Sequence, residues 1–282
     1  MTSCRGSPFG PDRMPVVALS LSAAFVYLVA TFRLAFPAVM GKPRDARAKP
    51  QALALGALAV LLHALVLSQS VFTPAGLNLG FFNALSLFAW VIAVIILIAS
   101  LGRPLENLIL LGLPLAAIPP VLALVFPSDR LVPLDKGFGF ELHLVLAIVA
   151  YSLVSVAAVQ ALLLAYQDRQ LRRRHLGGVV RALPPLQTME ALLFQLIGAG
   201  FFVLSLAIVS GAMFVGDLFA QHIAHKTILS LLAWLILAVL LWGRWRFGWR
   251  GRVAIRWSLG GFLTLMLAYF GSKFVVELIL RR

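Results

Sequence analysis

Long apolar runs alternate with short polar breaks along this chain, and each run is continuously apolar rather than alternating in and out. A window of about 20 such residues crosses a hydrocarbon core of roughly 30 Å as an α-helix, whereas strands of a membrane barrel carry a period of two. The pattern predicts eight spans: about 15–36, 51–70, 81–100, 108–126, 143–166, a sixth ending near Phe214, 226–243 and 258–280. The polar stretch MTSCRGSPFGPDR precedes them. It reads as a disordered tail without the apolar centre of a signal peptide, with Met14 as an alternative start. Residues 14–282 then form a single transmembrane domain, an all-α polytopic bundle of about eight helices.

Composition agrees with this reading. With 61% hydrophobic residues, 12% charged residues and a mean hydropathy of +0.98, an ordinary soluble domain is excluded. The net charge of +14 would fit a nucleic-acid binder if it formed one face. It falls instead in breaks between spans, where insertion puts it, so no nucleic acid is expected. A single cysteine, Cys4, rules out an internal disulfide, a Cys-X-X-Cys pair and a thiolate cage. No GxGxxG, GxxxxGK[ST] or HExxH motif is present.

Where the basic residues fall gives a topology. Loops 1, 3, 5 and 7 hold fifteen Lys and Arg, in the stretches 41–50, 103, 169–181 and 244–256, against three (Arg130, Lys136 and Lys226) in loops 2, 4 and 6. The positive-inside rule makes the odd loops cytoplasmic and puts both termini on the outer, periplasmic side of a bacterial inner membrane. The arginines of the odd loops would then meet anionic lipid, and Trp242, Trp245, Trp249 and Trp257 would form an interfacial belt.

With that orientation, four of the five histidines fall in the outer half: His63 in the second span, His143 at the mouth of the fifth, and His222 and His225 before the seventh. His175 sits alone in the basic run RRRH. Ionisable groups in a membrane need a reason to be there, and neutral imidazole is a common ligand of haem iron. A zinc site would need further ligands, and Asp129, Asp135, Glu141 and Asp217 stand at no recognisable ligand spacing. A lone intramembrane histidine also serves simply to hydrogen-bond a neighbouring helix.

The stretches LLAWL, LLWGRWRFGWRGRVAIRW and LAYFGSKFV, with GLNLGFFNALSLFAWVI and ELHLVLAIVAYSLVSVAAVQALLLAYQDRQL, resemble the cytochrome c assembly membrane-protein family. That family contains CcsA-type and HemX-type proteins, and the likeness is greatest to its YpjD-type inner-membrane members. It covers nearly the whole chain from Met14 and implies haem handling, with other cytochrome c or haem-biogenesis membrane proteins as partners. In CcsA-type proteins a tryptophan-rich outer segment ending in Asp-Pro-Lys-Glu presents haem between two external histidines. Lys226 and LLAWL match the end of that segment, but its tryptophans are absent, and Ala224 and His225 replace the aspartate-proline pair. His143 matches the first external histidine, the second has no counterpart, and Trp242 stands where the family has an intramembrane histidine. His63 matches a second-span histidine of the relatives.

The expectation is a protein that handles haem rather than attaching it. His143 and His63 are the candidate axial ligands and His225 a replacement external ligand. Two alternatives stand beside it. One is a small-solute or ion transporter using His63, Glu190 and Glu277, with Pro114, Pro119 and Pro120 interrupting the fourth span; the other is a structural or regulatory partner of a membrane complex.

Overall fold

In a computed structural model, residues 14–40, 45–73, 76–102, 105–127, 131–132, 137–173, 184–214, 224–271 and 273–274 are described. Every long apolar run is helical, because only a helix satisfies all backbone N–H and C=O groups within one segment in lipid. The helices are α1 (Met14–Val39), α2 (Ala48–Ser70), α3 (Phe81–Leu101), α4 (Glu106–Val125), α5 (Phe138–Arg172), α6 (Leu186–Phe214), α7 (Ala224–Phe247) and α8 (Gly251–Met266). The last passes into a π-helical turn, Leu267–Gly271. Among the described residues, eight helices are long and apolar enough to cross a membrane.

The chain divides into two compact units, Met1–Leu101 with Ile109–Leu134, and Gly102–Leu108 with Asp135–Arg282. In the first, α2 packs against both α1 and α3. Ser20, Ala23, Tyr27 and Ala30 form the buried stripe of α1, and Ala52, Gly56, Ala59, His63 and Val66 that of α2. Small residues on such a stripe let helix backbones come close. A Cβ at Gly56 would meet Leu97 at 2.7 Å. Three short strands, β1 (Phe72–Thr73), β2 (Gly76–Asn78) and β3 (Leu131–Val132), form an antiparallel sheet in the order β1-β2-β3, with Leu77 opposite Val132. The uncharged connector after the second span supplies two of these strands. The three prolines do not break the fourth span, since α4 runs unbroken past them.

In the second unit α5 packs along α6 and against α8, and α7 packs on α6 and α8. Two glutamines on α5 reach the start of α6: Gln160 Nε2 donates to Met189 O at 2.9 Å, and Gln167 Nε2 to Pro184 O at 3.0 Å. Residues 244–257, expected as a loop, are mostly helix: α7 runs through Phe247 and α8 begins at Gly251. The chain turns within three residues because Gly248 (φ 66°) and Gly251 (φ 55°) take the left-handed conformation that side chains oppose. Helix therefore continues beyond the apolar window at this corner, and Arg252 and Arg256 are helical residues. The eighth helix starts seven residues earlier than the apolar window predicts for the same reason.

Candidate functional site

His143 lies in the second turn of α5, against the last turns of α6. Its Nδ1 is 2.8 Å from Ala207 O and 3.3 Å from Ser210 Oγ. A carbonyl oxygen only accepts, so Nδ1 carries the proton and donates it, and Nε2 is left with a lone pair. The Ser210 hydroxyl also donates to Ala207 O, at 3.0 Å, which holds the carbonyl and the imidazole in one arrangement. Among the described residues nothing bonds to Nε2. A backbone carbonyl on one ring nitrogen is the usual support for a histidine whose other nitrogen binds metal, since it fixes tautomer and ring orientation.

Gly211 makes room for this ring. A Cβ there would lie 2.9 Å from His143 Cε1 and 3.2 Å from Nδ1. One turn earlier on α5, Gly139 does the same for the Phe214 ring, which lies directly on it. The imidazole and an aromatic ring thus sit side by side along the α5–α6 seam. Phe138, Val145, Met213 and Phe214 are exposed at this end of the unit and offer apolar surface.

His63 is placed differently. It belongs to the other unit and is wholly buried, with Nε2 2.9 Å from Ser86 Oγ and Nδ1 3.4 Å from the Tyr27 hydroxyl. The Tyr27 ring meets it edge-on at 6.0 Å. Both ring nitrogens face hydroxyls, so in either tautomer one donates and the other accepts. The three side chains join α1, α2 and α3.

His225 is exposed in the first turn of α7, in the same unit as His143. The neighbouring Lys226 holds Nζ 5.9 Å from the centroid of Tyr269, and Lys273 Nζ lies 5.2 Å from the same ring. His175, His222 and Glu277 lie outside the described residues. No group of three or more His, Cys, Asp and Glu able to hold a metal ion occurs among the described residues.

The partners of His143 were not legible as a motif. Ala207 is 64 positions away, and the signal that could have found it is the small Ser210–Gly211 pair inside an apolar helix, where small residues mark close approach. Glu190, a candidate for a transport path, is occupied elsewhere: its Oε1 accepts from Arg244 Nη1 at 2.7 Å, and its Oε2 accepts from the Gly251 N–H at 3.3 Å. Trp242 is 55% exposed and packs edge-on against Phe247, as an interfacial aromatic does.

The family model described as Cytochrome C assembly protein matches residues 52–280, so the match runs through both units. The chain is 31% identical over 268 residues to the inner membrane protein YpjD of Escherichia coli (strain K12), covering 94% of this chain and all of that one. It is 25% identical to protein HemX of Brevibacillus brevis, over 79% of this chain and 85% of the relative. To the cytochrome c biogenesis protein CcsA of Chlamydomonas reinhardtii it is 24% identical, over 53% and 42% of the two chains. No solved structure matches. The chain belongs to the cytochrome c assembly family, and with its eight apolar helices it is a multi-pass protein of the bacterial inner membrane.

Proposed function

We propose that this member of the cytochrome c assembly family handles haem at the end of the bundle that carries His143, in cytochrome c biogenesis or haem homeostasis. That end faces outward in this reading, as the fifteen-to-three excess of basic residues in the odd loops implies. One observation carries the assignment: Nδ1 of His143 is committed to Ala207 O, in the space that Gly211 leaves for the ring, while Nε2 has no partner among the described residues. Haem, if bound, would supply an iron centre that takes neutral imidazole as a ligand. His143 Nε2 fits that requirement as it stands.

The surroundings fit the rest of the group. Exposed apolar side chains at the end of α5 and α6 suit a porphyrin face, and Lys226 and Lys273, converging on Tyr269, supply cations for its carboxylates. Among the described residues of the same unit, His225 is the second imidazole. His63 serves in this reading as a hydrogen-bonded tie between helices, because coordination would require it to give up Ser86 or Tyr27.

The test is a visible spectrum of detergent-purified protein supplied with haem, oxidised and reduced, for wild type, His143→Ala and His225→Ala. A wild-type Soret band that shifts or fades in His143→Ala, and weakens in His225→Ala, supports the assignment. A wild type without a Soret band after haem is supplied overturns it.

A further inference from the structure

At the opposite end of the second unit, the last turns of α5 and the first turns of α8 line a groove of about 380 Å³. Arg169 and Arg172 come from α5, Arg252 and Arg256 from α8, and Ala165 and Ile255 form its apolar lining. The one acid there, Asp168, is taken by Arg172, whose Nε lies 3.2 and 3.0 Å from its two carboxylate oxygens. Arg169, Arg252 and Arg256 form no ion pair among the described residues. One depression therefore gathers four guanidinium groups against one carboxylate.

Protein interactions alone leave this arrangement unfavourable. Arg252 and Arg256 stand four residues apart on one helix face, where like charges repel. Arg252 also lies in the first turn of α8, the end of the helix dipole that favours anions over cations. A bound anion reverses both signs. Guanidinium forks match phosphate oxygens two at a time, and the dipole end of α8 adds to their attraction.

The surroundings say which anion. Trp257, the residue after Arg256, lies tilted against Trp249 at 5.6 Å, and Trp242, Trp245 and Phe247 are exposed at the corner between α7 and α8, with Trp245 at 81%. Exposed tryptophans beside arginines mark headgroup level in a membrane protein. With Ala165 and Ile255 on the apolar side, the geometry points to a binding site for the phosphodiester headgroup of an anionic phospholipid, its acyl chains running down the faces of α5 and α8. This site stands independently of haem handling.

The test titrates purified wild type, in a zwitterionic detergent, with phosphatidylglycerol, with phosphatidylcholine and with glycerol phosphate, reading thermal stability and lipid adducts by native mass spectrometry. Phosphatidylglycerol should raise the melting temperature and give retained adducts, and the other two should do neither. Arg252→Gln/Arg256→Gln should bind it roughly thirtyfold more weakly, given the attraction of two interfacial arginines. Arg246→Gln/Arg250→Gln removes the same charge outside the groove and should change binding by less than about threefold on the same scale. Equal weakening in both pairs would mean diffuse surface attraction and overturn the site. An equal response to glycerol phosphate would mean a free-anion site and overturn the lipid. If the glutamine pair does not fold, Arg252→Lys/Arg256→Lys keeps the charge and loses the fork; undiminished adducts there would also count against the proposal.

Discussion

Glu190 and Arg244, 54 positions apart, meet at 2.7 Å and tie the start of α6 to the corner between α7 and α8. The same carboxylate caps the Gly251 N–H, while the Arg244 guanidinium lies 4.6 Å above the Phe194 ring and also donates to Trp249 O. The Gly251 N–H and the Trp249 carbonyl thus both find partners in this ion pair, and Arg250 Nε lies 3.8 Å from the Glu190 oxygen that Arg244 meets. Side-chain exposures of 15% for Glu190 and 29% for Arg244 place it between a surface pair and a buried one. Glu190→Ala should cost about 1–3 kcal/mol, measured by thermal unfolding in detergent. In a double-mutant cycle with Arg244→Ala the combined loss should fall short of the sum of the two single losses, because each single variant already removes the shared interaction.

Gly211→Ala should move the imidazole of His143 without removing it. A Cβ there stands 2.9 Å from Cε1, so the ring must shift or lose Ala207 O. The expected result is a changed Soret position in haem-loaded protein. Gly198→Ala, on the same helix with nothing within 4 Å of the added carbon, should leave the spectrum as it was.

His63→Ala should act on stability and spare the spectrum. It leaves a cavity between α1, α2 and α3 and strips partners from Ser86 and Tyr27, a loss of about 2–4 kcal/mol. An unchanged Soret band alongside a lower melting temperature is the expected pair of readings. Loss of the band in well-folded protein would make His63 a ligand.

Asp45 gives the loop before α2 a pH dependence of known sign. The Arg47 backbone N–H and the Arg33 guanidinium hold its carboxyl below the ordinary value of 3.8. Because the folded value is depressed, its stabilisation is complete at neutral pH and fades as pH falls through that lowered value. Melting temperatures of wild type and Asp45→Asn should differ slightly at pH 7 and converge in strong acid. Added salt should narrow the gap, since the Arg33–Asp45 pair is solvent-exposed.

Sidedness has a direct check. With Cys4 replaced by Ser, a cysteine introduced at Phe138 should react in intact spheroplasts with a membrane-impermeant thiol reagent. One introduced at Arg250 should react only after the membrane is opened.

Eight membrane helices were legible because lipid permits few alternatives to a continuous apolar helix of that length. Their ends were less so, since hydropathy marks where apolar side chains stop and not where backbone bonding stops. Arg252 and Arg256 read as loop residues although they are helical, and the sheet joining Leu77 to Val132 rests on backbone pairing that composition does not report. His143 stood out as a polar residue in an apolar run. What orients it, the carbonyl of Ala207, is a backbone atom, and every residue has one. The distinction between His143 and His63 lay in their neighbours: among the described residues one ring nitrogen has no partner in the first, and both have partners in the second.

The length of α5 has a consequence for depth. Its 35 residues carry His143 near one end and Arg169 near the other, in one helix with no proline to bend it. At 1.5 Å per residue those two side chains are separated by about 39 Å along the axis, more than the roughly 30 Å of a hydrocarbon core. If the guanidinium is held at headgroup level on one face of the membrane, as proposed for the arginine groove, it would act as a stop. It would then set how far the imidazole stands out on the other face, so that α5 would work as a gauge: a thicker bilayer would sink the histidine below the water's edge and a thinner one would raise it.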